Sequence, residues 1–404
     1  MLARIAFRNI FRNRRRTGIT LIVIVFGVVA LVFFGGYKEV TFRNLRESTI
    51  RNRLGHMQVY QKGALEAKSE KPLEHGLENV AAIRAAIEKD PRVKTTAAQI
   101  GVTGLISNGD KSETFLGTAV EPDRDRPMSS QRMVAGEFLP DGDADAVIIG
   151  KGLADELNVK PGDYLTLMTT TVNGSLNAAD VRVAGVFATG VKEYDDRAVK
   201  MPLAGAQSLL QTHKVEKLLV MLRDTADTPL VRSHLEQRIR DNGWPVEIRD
   251  WSQLATFYHQ VVLLYNGIFG FLGMVVFAIV VLSVANTIMM SIFERTREIG
   301  TLMSMGTTRA RVWTMFLLEG LFVGILGGAI GLAAGYALAH LVNGLHLQLP
   351  PPPGYTRGYT LELLLRAPVL VESLLVAVVT ATVSAIFPAF KASRMKIVDA
   401  LGHI

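Results

Sequence analysis

The sequence predicts an α-helical membrane protein with four transmembrane helices and a large α+β domain between helices 1 and 2. Two observations support this fold class. Four long apolar segments contain almost no charged residues, and a polar stretch of ordinary composition separates the first two. The 404 residues are 49% hydrophobic and 20% charged, values that average over both kinds of sequence. A spanning helix needs about 20 apolar residues, because each residue rises about 1.5 Å and the hydrocarbon core is about 30 Å thick.

The four apolar segments are long enough to cross a bilayer. Their approximate limits are residues 19–36, 262–290, 312–342 and 369–390. The first has no charged residue, the third includes Glu319, and the fourth has Glu372 near its start. A carboxylate within a span is costly unless it is protonated, paired or in contact with protein or water. For Glu319 the sequence leaves two readings open: a coupling charge held by a basic residue near the inner face, or a side chain only two turns inside the membrane that snorkels or forms a structural pair. For Glu372 a structural role near the outer surface is favoured.

Basic residues indicate the orientation of the spans. Lys and Arg are concentrated before the first span, between the second and third, and after the fourth. The positive-inside rule places these three segments in the cytoplasm, so both termini are predicted inside and residues 37–261 and 343–368 outside. Residues 1–16 are predicted to form an amphipathic helix on the inner surface. A cleaved signal peptide is the less favoured alternative, because no A-x-A-like site follows the first apolar segment.

The stretch between the first two spans has about 220 residues, enough for a core of its own. It alternates strand-like and helical patterns, including a hairpin over residues 102–120 around Asn108-Gly109. Residues 37–50 are predicted to extend the first span outward. The helical spacing of Trp251, Tyr258 and Tyr265 predicts that the second span also begins outside the bilayer. Together these two extensions are predicted to form a stalk.

Motifs of the common enzyme sites are absent from the sequence. Gly150-Lys151-Gly152 is only a fragment of a phosphate-binding G-x-x-x-x-G-K-S/T loop, and neither H-E-x-x-H nor G-x-S-x-G occurs. The eight histidines are scattered, there is no cysteine, and the pair Asp195-Asp196 is interpreted as part of a solvated loop. No basic patch interleaved with aromatic residues indicates nucleic-acid binding. The sequence therefore predicts a non-catalytic protein without a metal site, a directly bound cofactor or a nucleic-acid partner.

The third span carries glycines at spacings of 3 and 4, predicted to lie on one face and to allow close helix packing, in the same chain or with another. They are Gly320, Gly324, Gly327, Gly328, Gly331 and Gly335. The loop before this span, FERTREIGTLMSMGTTRARV (293–312), contains helical spacing in Glu294, Arg297 and Glu298, with an apolar face formed by Ile299 and Met303. It ends near Gly306 and is predicted to be a short helix that docks something in the cytoplasm, or an interfacial helix without a partner.

Several segments of the sequence resemble a known family. ERTREIGTLMSMGTTRARV followed by EGLFVGILGGAIGLAAGYAL resembles the FtsX-like permease domain, and LARIAFRNIFRNRRRTGIT resembles the entry into its first span. GEFLPDGDADAVIIGKGLADELNVKPGDYLTL and VAGVFATGVKEYDDRAVKMPLAGAQSLL resemble the external domain of MacB-like and LolC/LolE-like permeases. The resemblance covers nearly the whole chain. One departure is that MacB carries a fused N-terminal ATPase, whereas this chain begins almost directly with its first span, as LolC and LolE do.

The resemblance implies a permease subunit of an ABC transporter in the bacterial inner membrane. Its protein partners would be a separate cytoplasmic ATPase, a second permease subunit in a homodimer or heterodimer, and periplasmic proteins or lipoproteins. ATP and Mg would be bound by the ATPase and not by this chain, which would also contact membrane lipid. The implied coupling helix runs from Glu294 to Gly306. The residues assigned to ATPase coupling are Glu294, Arg295, Arg297, Glu298, Ile299, Gly300, Met303 and Gly306.

The implied domain organisation follows the same family. Its parts are a cytoplasmic helix (1–16), span 1 with stalk (17–50), a MacB-like periplasmic domain (51–250), stalk with span 2 (251–293), coupling loop (294–311), span 3 (312–342), periplasmic loop (343–368), span 4 (369–390) and tail (391–404). The periplasmic domain would comprise a porter-like part and a compact α/β subdomain at about 133–204. Release or export of lipoproteins or other amphiphiles is the expected function. The alternatives are an FtsX-like signalling permease that regulates cell-wall hydrolases and a receptor or scaffold without an ATPase.

Overall fold

The computed structural model describes residues 2–12, 14–65, 72–129, 131–351, 356 and 358–396. Parts of the predicted outer loop (352–355 and 357) and tail (397–404) lie outside the described residues. The chain divides into two compact units. The helical unit comprises Met1–Arg43, Val261–Leu349 and Thr360–Ile404. The sheet unit comprises Asn44–Gln260 and Pro350–Tyr359.

Thirteen α-helices occur in the described residues. They are α1 (Leu2–Arg12), α2 (Arg14–Thr49), α3 (Val80–Ile87), α4 (Pro122–Asp125), α5 (Lys151–Leu157), α6 (Lys192–Asp195), α7 (Leu203–Leu210), α8 (Thr228–Asp241), α9 (Trp251–Leu254), α10 (Thr256–Glu294), α11 (Thr296–Ser304), α12 (Arg309–Gly344) and α13 (Ala367–Ser393). Four of them, α2, α10, α12 and α13, are long and apolar enough to cross a membrane. The predicted number of spans is therefore confirmed.

The strands within the same residues are β1 (Met57–Gln61), β2 (Val93–Ser107), β3 (Ser112–Val120), β4 (Arg132–Gly136), β5 (Ala146–Gly150), β6 (Tyr164–Thr170), β7 (Leu176–Ala188), β8 (Ala198–Pro202), β9 (Lys217–Leu222), β10 (Val246–Asp250), β11 (Gln348–Leu349) and β12 (Tyr359–Thr360). The first ten form one mixed sheet in the order β10-β1-β9-β2-β3-β8-β5-β7-β4, and β6 pairs with β2 and β7. The β3–β8 and β5–β7 pairs are parallel. The predicted α+β class is confirmed.

The predicted hairpin forms between β2 and β3, which pair antiparallel from Gln99–Val120 to Ser107–Ser112. Its turn depends on local chemistry. The side-chain oxygen of Asn108 accepts hydrogen bonds from the backbone N–H groups of Asp110 and Lys111. Gly109 has φ = +96°, which a residue with a Cβ rarely adopts. The Asn-Gly pair in the sequence was therefore a reliable turn signal.

One sequence-based interpretation is wrong, and the structure adds detail to another. Asp195 is buried rather than solvated, because its carboxylate accepts hydrogen bonds from the backbone N–H groups of Thr189 and Gly190. The helix before the second span is not continuous from Trp251. A capping box at Asp250 starts the separate helix α9, and Ala255 leaves helical geometry at ψ = +58° before α10 begins. The periodic apolar pattern of the sequence continues across this break, so the pattern could not reveal the break.

His56 is a buried titratable residue of the sheet unit. It follows α2 and a π-helix at Ile50–Leu54, and it is 4% exposed. Its Nδ1 accepts the Leu222 N–H at 3.1 Å, so the ring proton resides on Nε2, which lies 3.0 Å from Thr225 Oγ1. Burial lowers the pKa of His56 to about 4. The nearby carboxylates of Glu47 and Asp224 oppose this effect, and the guanidinium groups of Arg51 and Arg46 add to it.

This burial predicts a pH-dependent stability. In the unfolded chain His56 titrates near its ordinary pKa of about 6.5, so between about pH 6.5 and 4 the unfolded state binds a proton that the folded state does not. The contribution is complete above pH 6.5 and is lost as pH falls toward 4. We expect the free energy of unfolding to drop by about 2 kcal/mol from pH 7 to pH 5, measured by urea titration of the detergent-solubilised chain. The variant His56→Gln should lack this component, and an unchanged pH dependence in that variant would contradict the assignment.

Candidate functional site

The loop between α10 and α12 forms a short helix with turns at both ends. Arg295 leaves helical geometry at φ = −114° and ψ = 18°, which separates α10 from α11. Gly306 has φ = +90° after α11, and Thr308 precedes α12. The predicted single helix from Glu294 to Gly306 is therefore wrong at both limits. Glu294 ends α10, Arg295 lies between the helices, and α11 covers only the nine residues Thr296–Ser304.

The predicted coupling residues of α11 divide between two faces. Ile299 and Gly300 are buried, and Met303 is partly buried against the helical core. Arg297 and Glu298 face outward. Beyond the helix, Met305 is 70% exposed beside the exposed Gly306. The helix is therefore anchored by one apolar face and presents a charged face that ends in an exposed methionine.

Arginines from the N-terminal part of the chain pair with this loop. Arg12 of α1 donates to both carboxylate oxygens of Glu298, and Arg295 donates from Nε to the same carboxylate at 3.1 Å. The hydrogen bond from Arg12 is the main reason that the pKa of Glu298 lies below its usual range, and Arg295 adds to this effect. Arg16 of α2 pairs with Glu294 at 2.5 Å. The loop is thus held to both α1 and α2.

Arg295 also reaches the intramembrane carboxylate. Its Nη1 lies 3.9 Å from Glu319 Oε2, with side chains 10% and 9% exposed. Neither of these two atoms has a hydrogen-bond partner within the described part of the chain. Beside Glu319 is a cavity of about 30 Å³, large enough for a water molecule. Its polar lining includes Asn9, Arg16, Thr20, Thr287, Ser291 and Glu319. The basic partner lies near the end of α12 that follows α11, so both a coupling charge and a structural pair remain open for Glu319.

The six glycines of α12 form two rows rather than one face. A Cβ on Gly320 would lie 2.8 Å from Ala385 of α13, and one on Gly324 would lie 2.9 Å from Ala381. Gly328 also faces α13, whereas Gly327, Gly331 and Gly335 face Ile24, Val28 and Val32 of α2. The prediction of one stripe merged two rows with a spacing of 4 residues. Each row allows a different helix of the same chain to approach closely.

The described residues contain no group of three His, Asp or Glu side chains that could hold a metal ion. The site therefore consists of α11, the Arg295–Glu319 pair and the glycine contacts. Its outer face is charged and exposed, and its inner face packs against the helical core.

Comparisons with known proteins identify the family. Residues 270–397 match the FtsX-like permease C-terminal model, and residues 17–238 match the MacB-like periplasmic core domain model. The lipoprotein-releasing system transmembrane protein LolC of Xylella fastidiosa is 24% identical over 96% of this chain and 92% of its own length. LolE of Haemophilus influenzae is 23% identical over 63% of this chain and 62% of its own.

The macrolide export ATP-binding/permease protein MacB of Hyphomonas neptunium is 25% identical over 87% of this chain and 55% of its own length. The match thus spans about three fifths of LolE and about half of MacB. The periplasmic core model alone covers more than half of the present chain. The chain belongs to the MacB-like and FtsX-like family of ABC transporter permeases.

Proposed function

We propose that this chain is a permease subunit that transmits ATP hydrolysis by a separate cytoplasmic ATPase to its sheet unit on the periplasmic side. The observation that carries the proposal is the two-faced helix α11. Ile299 is 1% exposed among the residues of the helical core, whereas Glu298 and Met305 face outward. A partner that pushes on the outer face would move the core with it, because packed helices shift as rigid bodies.

In this proposal both termini lie in the cytoplasm, because the positive-inside rule assigns to that side the span ends that basic residues flank, among them Arg14, Arg15, Arg297 and Lys391. ATP and Mg are bound by the ATPase, and this chain supplies no catalytic residue. A second permease subunit completes the transporter, either another copy of this chain or a homologue.

Lipoproteins or other amphiphiles are the proposed substrate class. Two of the relatives are named for lipoprotein release. An amphiphile enters from the lipid, so it needs no polar channel through the helices. The helix α10 exposes large apolar residues along most of its length, among them Leu263, Phe271 and Leu282. Such a surface suits acyl chains better than it suits a hydrophilic solute.

Affinity purification of the tagged chain from detergent-solubilised membranes tests this function. Wild type is expected to bring down an ABC ATPase and lipoproteins. Glu298→Lys reverses the charge on the outer face, and Gly306→Pro cannot keep φ = +90°, so both variants should lose the ATPase. Glu193→Lys, an exposed site in the sheet unit, is the matched control and should retain it. Wild type without an ATPase would contradict the proposal and favour a scaffold. An ATPase with cell-wall hydrolases instead of lipoproteins would favour signalling.

A further inference from the structure

The chain enters and leaves the sheet unit at neighbouring strands. Strand β1 follows the π-helix at the end of α2, and β10 leads into α9 and α10. These strands pair antiparallel from Met57–Asp250 to Gln61–Val246. The backbone N–H of Trp251, the first residue of α9, donates to the His56 carbonyl at 3.0 Å. His56 therefore lies where both connections to the membrane helices meet the sheet.

Side-chain hydrogen bonds extend from His56 back to α2. The ring accepts the Leu222 N–H on Nδ1, and its Nε2–H donates to Thr225 Oγ1. The Thr225 hydroxyl then donates to Glu47 Oε1 at 3.1 Å. Because Nδ1 accepts the Leu222 N–H, the ring proton is assigned to Nε2, and the neutral imidazole is a single tautomer. A direct polar path thus runs from the last turns of α2, through His56, to the end of β9.

The covalent path between the same points is irregular. Residues Ile50–Leu54 form a π-helix, a rare geometry that interrupts the hydrogen-bond ladder of the preceding helix. Gly55 follows at φ = +63°, and its N–H bonds to the Ile50 carbonyl. A segment of this kind can change its winding at less cost than an α-helix can. If it were the sole connection, rotation or translation of α2 would be absorbed in the turn before it reached β1.

We propose that His56 is a positioning residue that carries displacement of the stalk helices into the sheet, past the compliant π-helix. The proposal rests on the force-transmitting function assigned above and names the residue that delivers that force. The link is short and directional, and its imidazole is buried. At one end of the link the acceptor Glu47 lies on α2. At the other end the His56 carbonyl accepts the N–H of Trp251, the residue that begins the second connection. Loss of the imidazole would leave both helices attached but would allow them to move without the sheet.

The test uses spin labels, since the natural chain has no cysteine. Labels are placed within the sheet unit at Leu176→Cys on β7 and Phe257→Cys in the first turn of α10, two exposed positions. The full chain with its copurified ATPase is reconstituted in nanodiscs, and electron–electron distances are measured with and without ATP. Wild type should show an ATP-dependent change in distance. His56→Phe and Thr225→Val should lose this change while ATP turnover continues, and Thr225→Ser should restore it.

Each outcome discriminates. Thermal melting first shows which of the two variants are folded. If His56→Phe is unfolded, the test depends on Thr225→Val. An ATP-dependent change that persists in both folded variants would overturn the role of His56 and leave the proposed function intact. A wild-type complex that hydrolyses ATP without any change in distance would overturn force transmission itself, and with it this inference. Ser233→Ala, which removes a hydroxyl bonded only within α8, is the matched control and should behave as wild type.

Discussion

Replacing Arg295 by glutamine is expected to lower the free energy of unfolding of the helical unit by roughly 3–5 kcal/mol, the usual cost of removing one partner of a buried ion pair. Glu319 would remain buried without its cation at 3.9 Å. Arg16 lines the same cavity, but it already pairs with Glu294. The measurement is SDS-induced unfolding of the purified chain in mixed micelles, followed by circular dichroism.

The second substitution identifies the partner that matters. Glu319→Gln in the Arg295→Gln background removes the unpaired charge, so most of the lost stability should return. Glu298→Gln in the same background should not restore it, because that carboxylate is about half exposed and also pairs with Arg12. If Glu298→Gln restored the stability of the Arg295→Gln variant and Glu319→Gln did not, Arg295 would stabilise the protein through its pair with Glu298 in the loop and not through Glu319. Arg297→Gln, an exposed neighbour on α11, serves as the control.

Hydropathy was sufficient for the membrane helices because it depends on local composition. The four spans required only long runs of apolar residues, and the glycines of α12 indicated close packing by their spacing. The sequence could not distinguish one face from two, since rows at i, i+4 lie side by side on a helix. Which row contacts which helix depends on how the chain folds back, and that is a tertiary property.

The site was only partly predictable for the same reason. Glu319 was identified because a carboxylate within an apolar run is rare. Its partner Arg295 was assigned to ATPase coupling instead, and the burial of Arg295 depends on the break between α10 and α11. His56 carried no signal at all, since its side-chain partners Leu222 and Thr225 lie on β9 and in the segment before α8, far from it in the sequence. The buried Lys200–Asp125 pair, with 2.8 Å between its charged atoms, likewise joins residues 75 positions apart.

The substitution Gly331→Leu should disrupt the packing of α2 against α12. A Cβ there would lie 2.6 Å from the Cβ of Val28 and 3.3 Å from the backbone Cα of Val25, which cannot rotate away. Overpacking of this kind costs roughly 1–3 kcal/mol, and contact with a backbone atom favours the upper end. The same unfolding measurement applies, and the loss should be accompanied by separation of α2 from α12.

The matched control is Gly267→Leu on α10. A Cβ at that glycine meets nothing within 4 Å in the described part of the chain, so a leucine there should cost little. Similar tolerance at both positions would show that α2 and α12 do not pack as described. The opposite result, in which Gly267→Leu is the more disruptive change, would have a different meaning. It would imply that the open face of α10 is covered by another chain in the membrane, because the lipid-facing side of a helix accepts leucine readily.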